Sequence, residues 1–274
     1  MKADTPLLTI ANRIRRHIVS MTCRARSGHP GGSLSMVEIL TYLYFREMEI
    51  DASRPRDPRR DRLVLSKGHG APALYATLAV KGFFPEKELM TLRHIQSFLQ
   101  GHPCRLETPG VEASTGSLGQ GLSMAVGLAL GLRISGIPGN VFCIIGDGES
   151  QEGQIWEAAT TAGFRRVQNL CVFLDHNNLQ IDGKVSDIRD IRPIRDKWEA
   201  FGWQVIIIDG HDFDQIEKAL GKFRACTDRP TLIQAETVKG KGVSFMEHAV
   251  DFHGVAPSDE EREIALRELD HEKG

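Results

Sequence analysis

Apolar residues recur at two periods along this chain, and the alternation of those periods lays out its architecture. Leu7, Leu8, Ala11, Ile14, Ile18 and Met21 fall at helical spacing, predicting an amphipathic helix to about Arg26. A Gly-rich break, Ser27-Gly28-His29-Pro30-Gly31-Gly32, precedes a second helix from near Ser33, with Leu34, Val37, Leu40, Leu43 and Tyr44 on one face. Short apolar runs bounded by turn residues predict buried parallel strands at Arg62–Ser66, Val141–Ile145, Leu170–Leu174, Gln204–Ile208 and Thr231–Ala235. Between them lie helical patterns at Ala71–Lys81, Leu122–Leu132 and Gln151–Gly163, with a short helix around Lys197–Phe201. Another helix follows Asp212, the expected N-cap, with Gln215 at the capping-box position and Phe213, Ile216, Leu220 and Phe223 on its buried face.

Alternating strands and helices predict one doubly wound α/β domain, a mostly parallel sheet with helices on both faces, over residues 1–274. Three stretches read as irregular: the surface connection 54–62, the long loop 91–120, and the charged loop 184–194. From about residue 255 the chain reads as a polar tail.

Composition narrows the function classes. Apolar residues make up 41% and charged residues 26% of 274, and the formal net charge is −2, so nothing points to nucleic acid or an anionic membrane as partner. The five cysteines lack CxxC spacing, which argues against a zinc site or a disulfide framework. With no run of 18 apolar residues, a cytoplasmic enzyme domain is the expectation.

The candidate chemistry sits at strand ends, where open parallel sheets bind ligands. One strand ends on Gly146-Asp147-Gly148 and the next on Asp175-His176-Asn177-Asn178, a helix apart. From Val141 to Phe164 the only ionisable side chains are Asp147, Glu149, Glu152 and Glu157, without Lys or Arg. A phosphate bound here lacks the lysine a P-loop supplies, so a metal is the expected substitute. A carboxylate, an amide oxygen and a main-chain carbonyl suit Mg2+ or Ca2+, with phosphate and water completing the shell. Gly-Asp-Gly alone is also a common turn.

Paired at this distance, Gly146-Asp147-Gly148 and Asn177-Asn178 resemble the thiamine diphosphate (ThDP) motif. Ser27-Gly28-His29-Pro30-Gly31, Ser66-Lys67-Gly68-His69, Gly101-His102-Pro103 and Thr115-Gly116-Ser117-Leu118-Gly119-Gln120-Gly121 resemble, in order, loops of the transketolase family's cofactor-diphosphate domain. The likeness runs from about residue 6 to residue 254. It implies metal ligation by Asp147, Asn177 and the carbonyl of Leu179, and cofactor contacts from His69, Gly116, Ser117, Leu118, Gly146, Gly148 and Glu149. It implies catalytic roles for His29, His69 and His102 facing thiazolium and substrate hydroxyls, and for Glu152 in a carboxylate network reaching a neighbouring subunit. The implied reaction moves a two-carbon ketol unit from a ketose, expected to be a sugar phosphate, to an aldose.

The family's late His, three residues before the His of the terminal His-Gly pair, falls at Val250, leaving His248 as a candidate substitute. The groups that hold the aminopyrimidine are expected on a separate C-terminal, pyrimidine-binding subunit, in an α2β2 assembly. Two other readings stay open: the α subunit of a 2-oxo-acid dehydrogenase, and a non-catalytic ThDP-binding assembly subunit. A Mg2+ phosphohydrolase is disfavoured, since no nucleophile or second acidic cluster is apparent.

Overall fold

A computed structural model describes residues 6–271, with the side chain of His271 left out. In chain order the helices and strands are α1 (Leu7–Ala25), α2 (Pro30–Leu34), α3 (Val37–Tyr42), β1 (Arg62–Leu65), α4 (Ala71–Lys81), α5 (Gln120–Ile134), β2 (Val141–Gly146) and α6 (Gly153–Phe164). They continue with β3 (Leu170–His176), β4 (Leu179–Gln180), β5 (Gly183–Lys184), α7 (Val185–Ile188), α8 (Ile194–Ala200), β6 (Gln204–Asp209), α9 (Phe213–Ala225), β7 (Thr231–Glu236) and α10 (Asp259–His271).

Five strands form a wholly parallel sheet in the order β1-β2-β3-β7-β6. Because side chains alternate across a strand, each strand feeds two cores. Phe142, Ile144, Cys171 and Phe173 join the side covered by α1, α3, α4 and α9. Val141, Cys143, Ile145, Leu170, Val172 and Leu174 join the side covered by α5, α6 and α8, where Trp198 and Trp203 stack edge to face at 4.8 Å. Burial on both faces is why β2 and β3 read as unbroken apolar runs. The sheet and its two helical layers are the doubly wound α/β architecture that the alternating pattern predicts.

The Asp212 cap forms as the sequence predicts: its carboxylate accepts from the amides of Asp214 and Gln215, and the Gln215 amide donates back at 2.9 Å. Elsewhere the expectations need amendment. The second helix begins at Pro30 rather than near Ser33 and is broken into α2, α3 and a π-turn over Leu43–Glu47. The stretch 184–194 contains α7, preceded by the antiparallel β4–β5 hairpin. The expected polar tail from about 255 is instead α10, packed on α1. Ala265 and Leu269 are buried there, and Ser258 and Glu261 form a reciprocal capping box. Its charged residues mask a narrow apolar stripe, so the composition reads as a tail while the spacing builds a helix.

Candidate functional site

Four of the segments around the candidate site lie just beyond the carboxyl end of a strand. After β1, Ser66-Lys67-Gly68-His69 turns through one 3-10 turn into α4; after β2, Gly146-Asp147-Gly148 turns toward α6; after β3 comes Asn177; after β7 comes Lys239. Together with His29 at the start of α2, these ends enclose a cavity of about 310 Å³. Its wall includes His29, Lys67, His69, Gly116, Leu118, Gly146, Asp147, Gly148, Glu149, Glu152, Asn177, Leu179, Lys239 and His253. Two glycines make the assembly compact. A Cβ on Gly121 would stand 2.5 Å from Cα of Ser66, so its absence lets α5 start against the end of β1. Gly116 has φ of +146° and lies under the His102 ring, which a Cβ would meet at 2.9 Å.

Asp147 is 3% exposed and is held by backbone amides: Gly148 donates to one oxygen at 2.8 Å, Asn177 and Asn178 to the other at 3.0 and 2.5 Å. Burial, reinforced by the nearby Asp175 carboxylate, pushes its pKa up to about 6. A buried carboxylate in this condition suits a cation. Among the described residues no cluster of three or more His, Cys, Asp or Glu side chains could hold a metal. Oxygen atoms that could hold one are the Asp147 carboxylate, the Asn177 amide oxygen and main-chain carbonyls beside them, a combination that would suit a hard cation.

Glu149 braces the site from below. One carboxylate oxygen accepts from the Ser66 hydroxyl at 2.5 Å and the Gly119 amide at 2.9 Å, the other from the Gly146 amide at 3.0 Å. Those bonds knit the ends of β1 and β2 to the start of α5. Glu152 is exposed at the cavity rim, and no ion pair or side-chain hydrogen bond involves it among the described residues.

His29, His69 and His253 form a triad of rings with centroids 5.2 to 5.5 Å apart. All three are held below the usual imidazole range. Burial is the main cause in each, and the neighbouring cations add to it: His29 falls to about 4 and His253 to about 3. The buried Nδ1 of His29 has no hydrogen-bond partner among the described residues.

Not every predicted residue converges here. His102 is exposed behind Gly116 rather than in the cavity wall, and Ser117 is exposed and outside it. His248, the candidate substitute for the late His, is also exposed and outside the wall, while His253 of the His-Gly pair lies in the wall.

The expectation of a cation-free lining is corrected by Lys67 and Lys239, each 2% exposed. Lys67 Nζ donates to the Asp175 carboxylate and, at 2.8 Å, to the Gly32 carbonyl; Asp175 also accepts from Ser35 and Thr237. Both lysines come from outside the 141–164 window: the sheet order sets the end of β1, with Lys67, beside β2, and the end of β7, with Lys239, beside β3. Lys67 stands next to Gly68-His69, so its signal lies within that loop; Lys239 carries only the Lys-Gly-Lys-Gly turn.

No helix among the described residues is long and apolar enough to cross a membrane.

Residues 8–272 match the family model described as the transketolase thiamine diphosphate binding domain. The 6-deoxy-6-sulfo-D-fructose transketolase subunit SqwG of Clostridium sp. is 48% identical over 262 residues, covering 96% of this chain and 95% of that protein. An apulose-4-phosphate transketolase subunit of Actinobacillus succinogenes is 43% identical over 263 residues, covering 96% and 95%. In three dimensions the crystal structure of transketolase from Campylobacter jejuni superposes with a TM-score of 0.91 at 34% identity, covering 96% of this chain and 42% of that one.

Proposed function

The chain belongs to the transketolase family as its thiamine diphosphate-binding domain, and from that premise we propose that it is the cofactor-diphosphate subunit of a two-chain transketolase. The observation that carries the reading is the convergence of a buried Asp147–Asn177 oxygen set and a triad of neutral imidazoles on one cavity. The first suits a metal-bound diphosphate and the second a polyhydroxylated substrate. Relatives that match along nearly their whole length are named as transketolase subunits, which supports a separate partner chain. We take residues 1–274 as one diphosphate-binding domain and the assembly as α2β2, with its active sites between chains.

Asp147, Asn177 and the Leu179 carbonyl would hold Mg2+, and Gly146, Gly148, Gly116 and Leu118 would pack against the cofactor. When bound, thiamine diphosphate supplies the nucleophilic carbon and the electron sink that breaking a carbon–carbon bond requires. The chain's own side chains do the rest. His29 and His69 offer neutral nitrogens that can accept or return a proton at a substrate hydroxyl. His102, outside the cavity wall beside Gly116, would meet the substrate only over the rim. Glu152 faces outward, where a partner chain can share its carboxylate. The substrate is a ketose with a terminal anion, since the names of the relatives include both a sulfonated and a phosphorylated sugar.

Co-expression with a pyrimidine-binding partner, followed by a screen of phosphorylated and sulfonated ketoses, tests the proposal. Ketol transfer to an aldose is expected, and its absence with every partner and donor overturns the reading. Asp147→Asn should weaken Mg2+-dependent ThDP retention by at least about tenfold; unchanged retention removes the metal assignment.

A further inference from the structure

Lys239 is a nearly buried cation in a site that already has one paired lysine, and no carboxylate bonds to it among the described residues. Its Nζ instead lies 2.7 Å from Nδ1 of His253. We infer that Lys239 is a positioning residue that fixes the tautomer of His253: its ammonium donates to Nδ1, so the ring presents Nε2–H to the cavity as a neutral hydrogen-bond donor. The inference rests on the proposed function only in naming a sugar oxygen as the acceptor.

An ammonium has three donors and no acceptor, so a hydrogen bond between Lys239 and Nδ1 requires Nδ1 to be unprotonated. Burial, with Lys67 adding to it, brings the lysine down to about 8, while Asp147 and Asp175 pull the other way. It therefore stays mostly an ammonium at neutral pH, by about ten to one. His253 is lowered to about 3 by burial and then by Lys239, His29 and Lys67. A neutral imidazole whose Nδ1 accepts carries its single proton on Nε2. That nitrogen makes no hydrogen bond to the described residues, and His253 lies in the cavity wall edge-on to His29, with the rings at 87°.

Lys239 is itself held. Its carbonyl accepts the His248 amide at 3.0 Å, and the next amide, of Gly240, donates to the Gly31 carbonyl at 3.0 Å. The loop after β7, which carries Lys239, is thereby tied to α2, which His29 precedes.

The identity of the orienting residue decides what His253 can do. The common orienter is a carboxylate or carbonyl, which takes the Nδ1 proton and makes Nε2 a better base. A lysine reverses both effects: it places the proton on Nε2 and opposes a second one. His253 thus offers a hydrogen to a substrate carbonyl or hydroxyl oxygen and does not collect one.

The test reads the tautomer directly. In the full chain labelled with 15N-histidine, with His253 assigned by its loss in His253→Gln, Nε2 should resonate as protonated and Nδ1 as unprotonated from about pH 7 to 5. Lys239→Arg should keep that pattern. Lys239→Met should populate both tautomers and move the ring's titration toward the ordinary imidazole value. In the complex with a partner chain, Lys239→Met should lower kcat by about tenfold or more while ThDP affinity changes less than about twofold, and Lys239→Arg should restore most of the loss. A proton on Nδ1 in the unsubstituted chain overturns the inference, as does a Lys239→Met chain with unchanged tautomer and titration. The spectrum is read without partner or substrate, so Nε2–H together with no ketol transfer upholds the inference and overturns the proposed function.

Discussion

Lys67 and Asp175 form a buried ion pair beside the cavity, and their pairing explains how the sheet tolerates a carboxylate at the end of a central strand. Burial raises the Asp175 carboxyl, but Lys67, Ser35 and Thr237 outweigh it and hold its pKa below the usual range. Taking away one partner of such a pair leaves the other charge uncompensated and costs about 3–5 kcal/mol. Lys67→Met and Asp175→Ala should each lower stability by that order in urea denaturation. The double variant should lose clearly less than the sum, because the second substitution removes the stranded charge. Additive losses would mean that the two groups do not act as a pair. At this scale the sequence was legible where a residue's neighbours in the chain were also its neighbours in space. Asp147 with Gly148, and His69 with Gly68, could be read directly. Lys67 with Asp175, and Lys239 with His253, meet only after the strands are ordered.

At the scale of elements, period and punctuation carried most of the reading. The five strands of the sheet were readable as apolar runs because both faces of that sheet are covered. The observed starts of α2, α5 and α8 come earlier than expected: Pro30 and Gln120 are not apolar-periodic positions that announce a helix, and Ile194 follows directly on Pro193 at the end of a charged stretch that reads as loop. The largest miss, α10, had its signal in Ser258-x-x-Glu261 followed by Ala265 and Leu269, outweighed by a run of charged residues. That helix is part of the core rather than an appendage. Leu269 is 1% exposed and reaches the loop at Gly242, while Arg16 of α1 pairs with Asp270 at 2.7 Å. Leu269→Ala should therefore cost about 2–4 kcal/mol, whereas Asp270→Ala, which removes an exposed pair, should cost less than about 1 kcal/mol. Equal, small losses for both in thermal or urea unfolding would show that α10 contributes little to the fold.

For the molecule as a whole, four strand ends and α2 bring basic and acidic groups into one small cavity, and proton binding there should register in global stability. His29 and His253 take up protons in the folded protein only near 4 and 3, against an ordinary value of 6.5. The unfolded chain thus binds protons that the folded chain refuses as pH falls through 6.5, and folding loses stability from there down to the folded values. Full stabilisation is present above 6.5. Asp147 acts with the opposite sign, because its raised value lets the folded state take a proton before the unfolded chain does. The two effects overlap, so the histidine contribution is isolated by comparison with a His29→Gln/His253→Gln variant. Between pH 7 and 5 the unsubstituted protein should lose more of its urea midpoint than the variant. The difference should stay below the full slope of about 1.4 kcal/mol per pH unit for each ring, since both are partly open to solvent. Identical losses would show that the rings protonate within the folded protein, and the neutral triad on which the catalytic assignment depends would have to be abandoned.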